Sequence, residues 1–169
     1  MAVPRSCDFS VDSSASVEQI HWAFAERDYW LARLANFGGT ASLEEFAVDA
    51  DGVVTTIVAN SLRPDGLPGP IAKVFPSQWR VEQREIWSPV SDGKVRGEIV
   101  SRSHGAPGSG SATAWLTPSR NGSLLKGRAT LEFKVPLIGG KIETIMGKSL
   151  VQSIEALQDF TTDWIKQNA

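Results

Sequence analysis

Gly139-Gly-Lys-Ile-Glu-Thr-Ile-Met-Gly-Lys-Ser-Leu-Val-Gln-Ser-Ile-Glu-Ala-Leu-Gln-Asp-Phe-Thr-Thr-Asp-Trp-Ile-Lys166 is the stretch that decides how this chain folds. At helical spacing, Ile142, Ile145, Met146, Leu150, Ile154, Leu157, Phe160/Thr161, Trp164 and Ile165 fall on one stripe. Lys141, Glu143, Lys148, Gln152, Glu155, Asp159 and Asp163 take the opposite side. No proline interrupts the run, and the Gly-Gly pair after Leu137-Ile138 breaks the strand before it. The spacing predicts one helix roughly 40 Å long at about 1.5 Å per residue, enough to cross a small domain end to end. Such a stripe needs a broad apolar partner surface, which the segments upstream must supply.

Working back through those segments, Ser6–Val11 alternates, with Cys7, Phe9 and Val11 on one face, as a strand does. Ser16-Val17-Glu18-Gln19 is a capping-box pattern opening a helix. Val17, Ile20, Phe24, Trp30, Leu31 and Leu34 are its apolar positions, over two short helices hinged near Arg27-Asp28 and stopped at Phe37-Gly38-Gly39. Leu43–Val48 and Val53–Ala59 pair about Asp49-Ala-Asp-Gly52. After the proline- and glycine-punctuated Leu62–Pro70, a short helix over Ile71–Phe75 is expected. Trp79–Trp87 and Lys94–Arg102 form a hairpin, a loop over His104–Gly110 follows, and Ala112–Thr117 turns at Asn121-Gly122 into Leu124–Val135. In that last strand Leu125, Ala129, Leu131, Phe133 and Val135 share a face. The class is α+β: a seven-stranded curved antiparallel sheet with two short helices after the first strand, wrapped around a long C-terminal helix.

The totals agree with one domain spanning 1–169. A chain of 169 residues, 41% hydrophobic, supports one real core. Its formal charge of −2 with scattered Lys and Arg gives no electrostatic footprint for nucleic acid. One cysteine, Cys7, leaves no internal disulfide and fits a reducing compartment. With no signal-peptide run and no stretch approaching 18 apolar residues, a soluble cytoplasmic protein without an integral membrane segment is expected.

Five runs carry a resemblance over nearly the whole chain: Ser16-Val-Glu-Gln-Ile20, Asp28-Tyr-Trp-Leu-Ala-Arg-Leu34, Val48-Asp-Ala-Asp-Gly52, Val135-Pro-Leu-Ile-Gly-Gly-Lys-Ile-Glu143 and Phe160-Thr-Thr-Asp-Trp-Ile165. With the element order, they resemble the helix-grip fold of the START-like (SRPBCC, Bet v 1-like) superfamily. More narrowly, they resemble the bacterial family DUF2505, whose most specific run is Val135–Glu143. The superfamily likeness implies a cavity between sheet and last helix for lipids, sterols, polyketides or similar apolar ligands. The narrower likeness carries over no catalytic residue, because fold is not function.

The residues themselves supply candidates for such a site. Trp30, Trp79, Trp87, Phe133 and Met146 come from elements turned toward one interior, where they either line an adaptable apolar pocket or fill a core. Leu34, Leu150 and Ile154 join them as candidate ligand-binding residues. Alternation puts Trp79, Val81, Gln83, Glu85 and Trp87 on one side of their strand. If that side is inward, Gln83 and Glu85 need water, a partner or a ligand; a bulge or the opposite register would expose both. Gly147 inside the long helix asks for room for a strand or ligand, or for close backbone packing. Leu62–Pro76 is either a lid or an ordinary connection.

Other chemistry finds no support. Gly147-Lys148-Ser149 lacks the first glycine of a phosphate-binding loop, since Ile142 stands there. His21, His104 and Cys7 have no metal-ligand spacing, so neither metal nor cofactor is expected. Three functions remain: a carrier or sensor of one apolar small molecule; a cyclase- or hydrolase-like enzyme with Glu85 or His104 as candidate catalytic residue in the cavity; and an interaction protein working as a homodimer.

Overall fold

The computed structural model describes residues 5–37, 40–65 and 67–169. The elements run β1 (Arg5–Ser13), α1 (Val17–Phe24), α2 (Arg27–Phe37), β2 (Ser42–Val48), β3 (Val54–Leu62), α3 (Gly69–Ala72), β4 (Trp79–Trp87), β5 (Val95–His104), β6 (Ser109–Ser119), β7 (Gly122–Glu132) and α4 (Gly139–Asn168). The seven strands form one curved antiparallel sheet in the order β1-β7-β6-β5-β4-β3-β2. From β2 to β7 it is a meander of hairpins. The first strand crosses to the far edge and pairs with the last, Arg5 opposite Leu131 and Ser13 opposite Ser123.

Local chemistry explains most boundaries. The Gln19 N–H donates to Ser16 Oγ at 3.1 Å and the Ser16 N–H to Gln19 Oε1 at 2.9 Å, so the capping box opens α1 as its spacing requires. The two helices part at Ala25-Glu26, just ahead of the expected hinge. Their Gly38-Gly39 stop lies outside the described residues. Asp49 Oδ1 accepts from the N–H groups of Asp51 and Val53, holding the β2–β3 turn. Gly97 in β5 lies beneath the Trp87 ring, where any Cβ would collide, so that close approach demands glycine.

Four sequence expectations are corrected. Leu31 is 44% exposed, because α2 buries its Tyr29–Trp30 side instead. His104 ends strand β5 opposite Arg80 rather than sitting in a loop. The last strand stops at Glu132, and Leu137, at φ 71, reverses the chain ahead of a helix that already includes the glycine pair. Glu143, placed on the wet side of the long helix, is 1% exposed. The segment entering α4 folds over its first turn there, and the Phe133 N–H donates to Glu143 Oε2 at 3.0 Å.

The core divides into two clusters, one toward each end of α4. Around Ile165, near the C-terminal end, gather Phe9, Val17, Ile20, Phe24, Tyr29, Trp30, Trp87 and Leu116. Around Ile142, near the N-terminal end, gather Ile71, Phe75, Trp79 and Phe133. Along the helix between them, Met146 packs on the second cluster and Leu150 and Ile154 on the first, all partly buried, as is Leu157. At 30 residues the helix spans about 45 Å at about 1.5 Å per residue, so the two clusters brace its two ends.

Candidate functional site

Two adjoining cavities lie between α4 and the sheet. The first, of about 330 Å³, is lined largely by apolar groups: Leu62, Trp79, Val81, Ile99, Ala112 and Leu131 from the sheet, Phe75 and Phe133 beside it, and Met146 and Leu150 from α4. The second, of about 360 Å³, is lined by Arg33, Leu34, Phe37, Val58, Asn60, Glu85 and Leu157 among others. Leu62, Val81, Gln83 and Ser153 border both. The gap exists because small residues face each other across it, Ser149 and Ser153 on α4 and Ser101, Gly110 and Ala112 on the sheet. A dry void of either size would cost about 8 kcal/mol at roughly 24 cal/mol per Å³, which rivals the 5–15 kcal/mol stability of a domain. Space of this kind is stable only when solvated or filled.

Strand β4 carries the polar end. Its inward face is Trp79, Val81, Gln83, Glu85 and Trp87, the inward register of the two weighed from sequence. Glu85 is 4% exposed, and three donors converge on its oxygens. Arg33 Nη2 donates to Oε2 at 3.1 Å, Gln83 Nε2 to Oε2 at 3.3 Å, and Trp87 Nε1 to Oε1 at 3.3 Å. Gln83 Oε1 in turn accepts from the Ser101 hydroxyl at 3.0 Å. Arg33 also lies 4.7 Å over the Trp30 ring. Burial works against its charge, but Glu85 and Tyr29 beside it hold the guanidinium above its ordinary value. Thr56, directly across the β3–β4 register from Glu85, is fully buried, and its hydroxyl has no partner among the described residues.

The sequence-predicted residues separate into two groups. Leu34, Trp79, Gln83, Glu85, Phe133, Met146 and Leu150 border a cavity. Trp30, Trp87 and Ile154 border neither: they belong to the cluster around Ile165, with the Trp30 indole N–H donating to the Phe24 carbonyl at 2.8 Å. His104 is exposed at the strand end and lines neither cavity, which separates it from any chemistry within them. Sequence reasoning missed Arg33, Ser101 and Ser153. The available signal for Arg33 was its place three and four residues after Trp30 and Tyr29, on their helix face. Around Gly147 an added Cβ would meet nothing within 4 Å, so close backbone packing is not what calls for glycine there. The segment over 62–76, whose Gly66 lies outside the described residues, packs Ile71 and Phe75 against Trp79 and Phe133 at one end of the apolar cavity. Among the described residues no group of His, Cys, Asp or Glu is placed to hold a metal ion, and no helix is long and apolar enough to cross a membrane.

Comparison with known proteins places this architecture. Among solved structures, TTHA0849 from Thermus thermophilus superposes with a TM-score of 0.60 at 17% identity, covering 99% of each chain. Ara h 8.0201 gives a TM-score of 0.57 at 12% identity, over 98% of this chain and 100% of that one. Norcoclaurine synthase from Thalictrum flavum, in complex with dopamine and hydroxybenzaldehyde, gives 0.54 at 14%, over 99% and 89%. These likenesses establish the START-like, Bet v 1-like fold. In sequence, the chain is 36% identical over 173 aligned residues to the uncharacterized protein Rv0481c of Mycobacterium tuberculosis, covering 98% of this chain and 99% of that protein. The family model described as a protein of unknown function (DUF2505) matches residues 8–165. The chain therefore belongs to the DUF2505 family, on a helix-grip frame.

Proposed function

We propose that the protein encloses one apolar small molecule between α4 and the sheet, as a carrier or sensor rather than as an enzyme. One observation carries this reading: the apolar cavity of about 330 Å³ lies between two solid clusters and continues into a second cavity with a polar wall. Both volumes fall in the range of about 300–1,000 Å³ typical of small-molecule sites. The norcoclaurine synthase of the same fold, with its two bound small molecules, lends support to a ligand in this architecture. The arrangement of Glu85 favours holding over chemistry, because its oxygens are occupied by donors that fix it in place.

The test is a thermal-shift screen of fatty esters, amides, sterols and aromatic polyketides, with native mass spectrometry of the freshly purified protein. A ligand at about 100 times its Kd adds roughly 2.7 kcal/mol and raises Tm by about 5–10 °C for a chain this long. No shift with any compound, together with no bound mass surviving purification, would defeat the proposal.

A further inference from the structure

The hydrogen-bond inventory of the polar cavity is lopsided, and we infer from it that the ligand of this site carries a neutral hydrogen-bond acceptor, a carbonyl of the ketone, ester or amide kind, at the end lying against Arg33, Gln83 and Ser153. This rests on the carrier reading above and sharpens it.

The carboxylate and amide acceptors of the wall each already hold at least one donor. Glu85 takes Arg33, Gln83 and Trp87, Gln83 Oε1 takes Ser101, and Asn60 Oδ1 takes the Thr40 hydroxyl at 2.9 Å. The donors are in surplus. A guanidinium has five N–H groups, of which Glu85 engages one nitrogen, and the Gln83 amide has a second N–H beyond the one it gives to Glu85. The Ser153 hydroxyl sits on the border of both cavities, where a head in one and a tail in the other would meet. A group entering here finds donors seeking an acceptor.

Charge selects further. Arg33 and Glu85 neutralise each other at 3.1 Å, with side chains 13% and 5% exposed. A ligand carboxylate would lie beside the Glu85 carboxylate, whose Arg33 is already paired. A ligand ammonium would compete with Arg33 for a carboxylate that already has its partner. In a partly desolvated site either mismatch is costly, whereas a carbonyl accepts the spare N–H groups and brings no charge. The apolar body then extends past Val81 and Leu62 toward Trp79, Phe133 and Met146.

Four probes with the same hydrocarbon chain separate the alternatives: methyl laurate, lauramide, laurate and dodecylamine, each titrated at pH 7 by displacement of an environment-sensitive dye from the full chain. Methyl laurate and lauramide are expected to bind at least about tenfold more tightly than laurate or dodecylamine. Gln83→Leu should weaken methyl laurate about tenfold. Ser153→Ala, on the helix surface where folding is not at stake, should weaken it severalfold. Laurate or dodecylamine binding as well as the neutral probes would overturn the inference and leave the carrier reading standing. So would a methyl laurate affinity unchanged in both variants. If none of the four binds and the apolar screen is also blank, the carrier reading itself falls.

Discussion

Arg33 Nη2 on α2 lies 3.1 Å from Glu85 Oε2 on β4, joining the second helix to an inner strand of the sheet through a nearly buried ion pair. Breaking such a pair strands its partner's charge. Glu85→Met or Arg33→Met should each cost about 3–5 kcal/mol in urea denaturation, while the joint replacement Arg33→Met with Glu85→Met recovers most of that loss. A double-mutant cycle measures the coupling, and a purely additive result would show that the pair contributes nothing.

Gly147 and Leu137 are local misfits of opposite kind. Nothing lies within 4 Å of a Cβ built on Gly147, so Gly147→Ala should stabilise the helix by about 0.5–1 kcal/mol. Leu137 is fully exposed at φ 71, a conformation that costs a residue with a side chain roughly 1–2 kcal/mol. Leu137→Gly should therefore raise rather than lower Tm. Calorimetry on both variants, with a rise of about 2–4 °C per kcal/mol, checks the pair.

The carboxylate of Glu143 is the sole hydrogen-bond acceptor found for the Phe133 N–H among the described residues, at 3.0 Å. Glu143→Ala leaves that buried donor unpaired and should cost about 1–3 kcal/mol. Glu143→Gln keeps an acceptor and should cost less than half as much. Amide exchange at Phe133, followed by NMR, should accelerate in the alanine variant and stay slow in the glutamine one.

Tyr29 is the single tyrosine of the chain, so tyrosinate absorbance reports on it alone. Burial pushes its phenol up from the ordinary value, with Arg33 and the 2.6 Å hydrogen bond to Thr161 working the other way. Above the ordinary value near 10 the unfolded chain releases this proton while the folded chain retains it, so stability falls as pH rises. Below that value the contribution is fully present. Tyrosinate absorbance and circular dichroism should change together at alkaline pH. Ionisation of Tyr29 at its ordinary pH, with the fold intact, would contradict its burial.

Periodicity made the outline of the fold readable, because a stripe at helical spacing and an alternating strand are properties of neighbours in sequence. The capping box at Ser16 and the shared face of Trp79–Trp87 were visible for the same reason, whereas the direction in which that face points was left open. What depends on distant partners was not. Trp30 and Trp79 look alike in sequence, yet one is sealed against Phe24 and the other borders the apolar cavity. Glu143 reads as solvent-facing on the helical wheel because the wheel omits the chain folded over that turn. The hollow itself comes from what Ser149, Ser153, Gly110 and Ala112 leave unfilled, and no one segment carries that information. The position of β1 beside β7 was equally hidden.

That last pairing has a kinetic consequence. Arg5 meets Leu131 and Ser13 meets Ser123, so β1 cannot complete its ladder until the chain has been synthesised past β7. Loop-closure entropy makes this step late and slow compared with the zipping of the hairpins. Until then a growing chain exposes an unsatisfied β-edge, the kind of edge on which chains associate with one another.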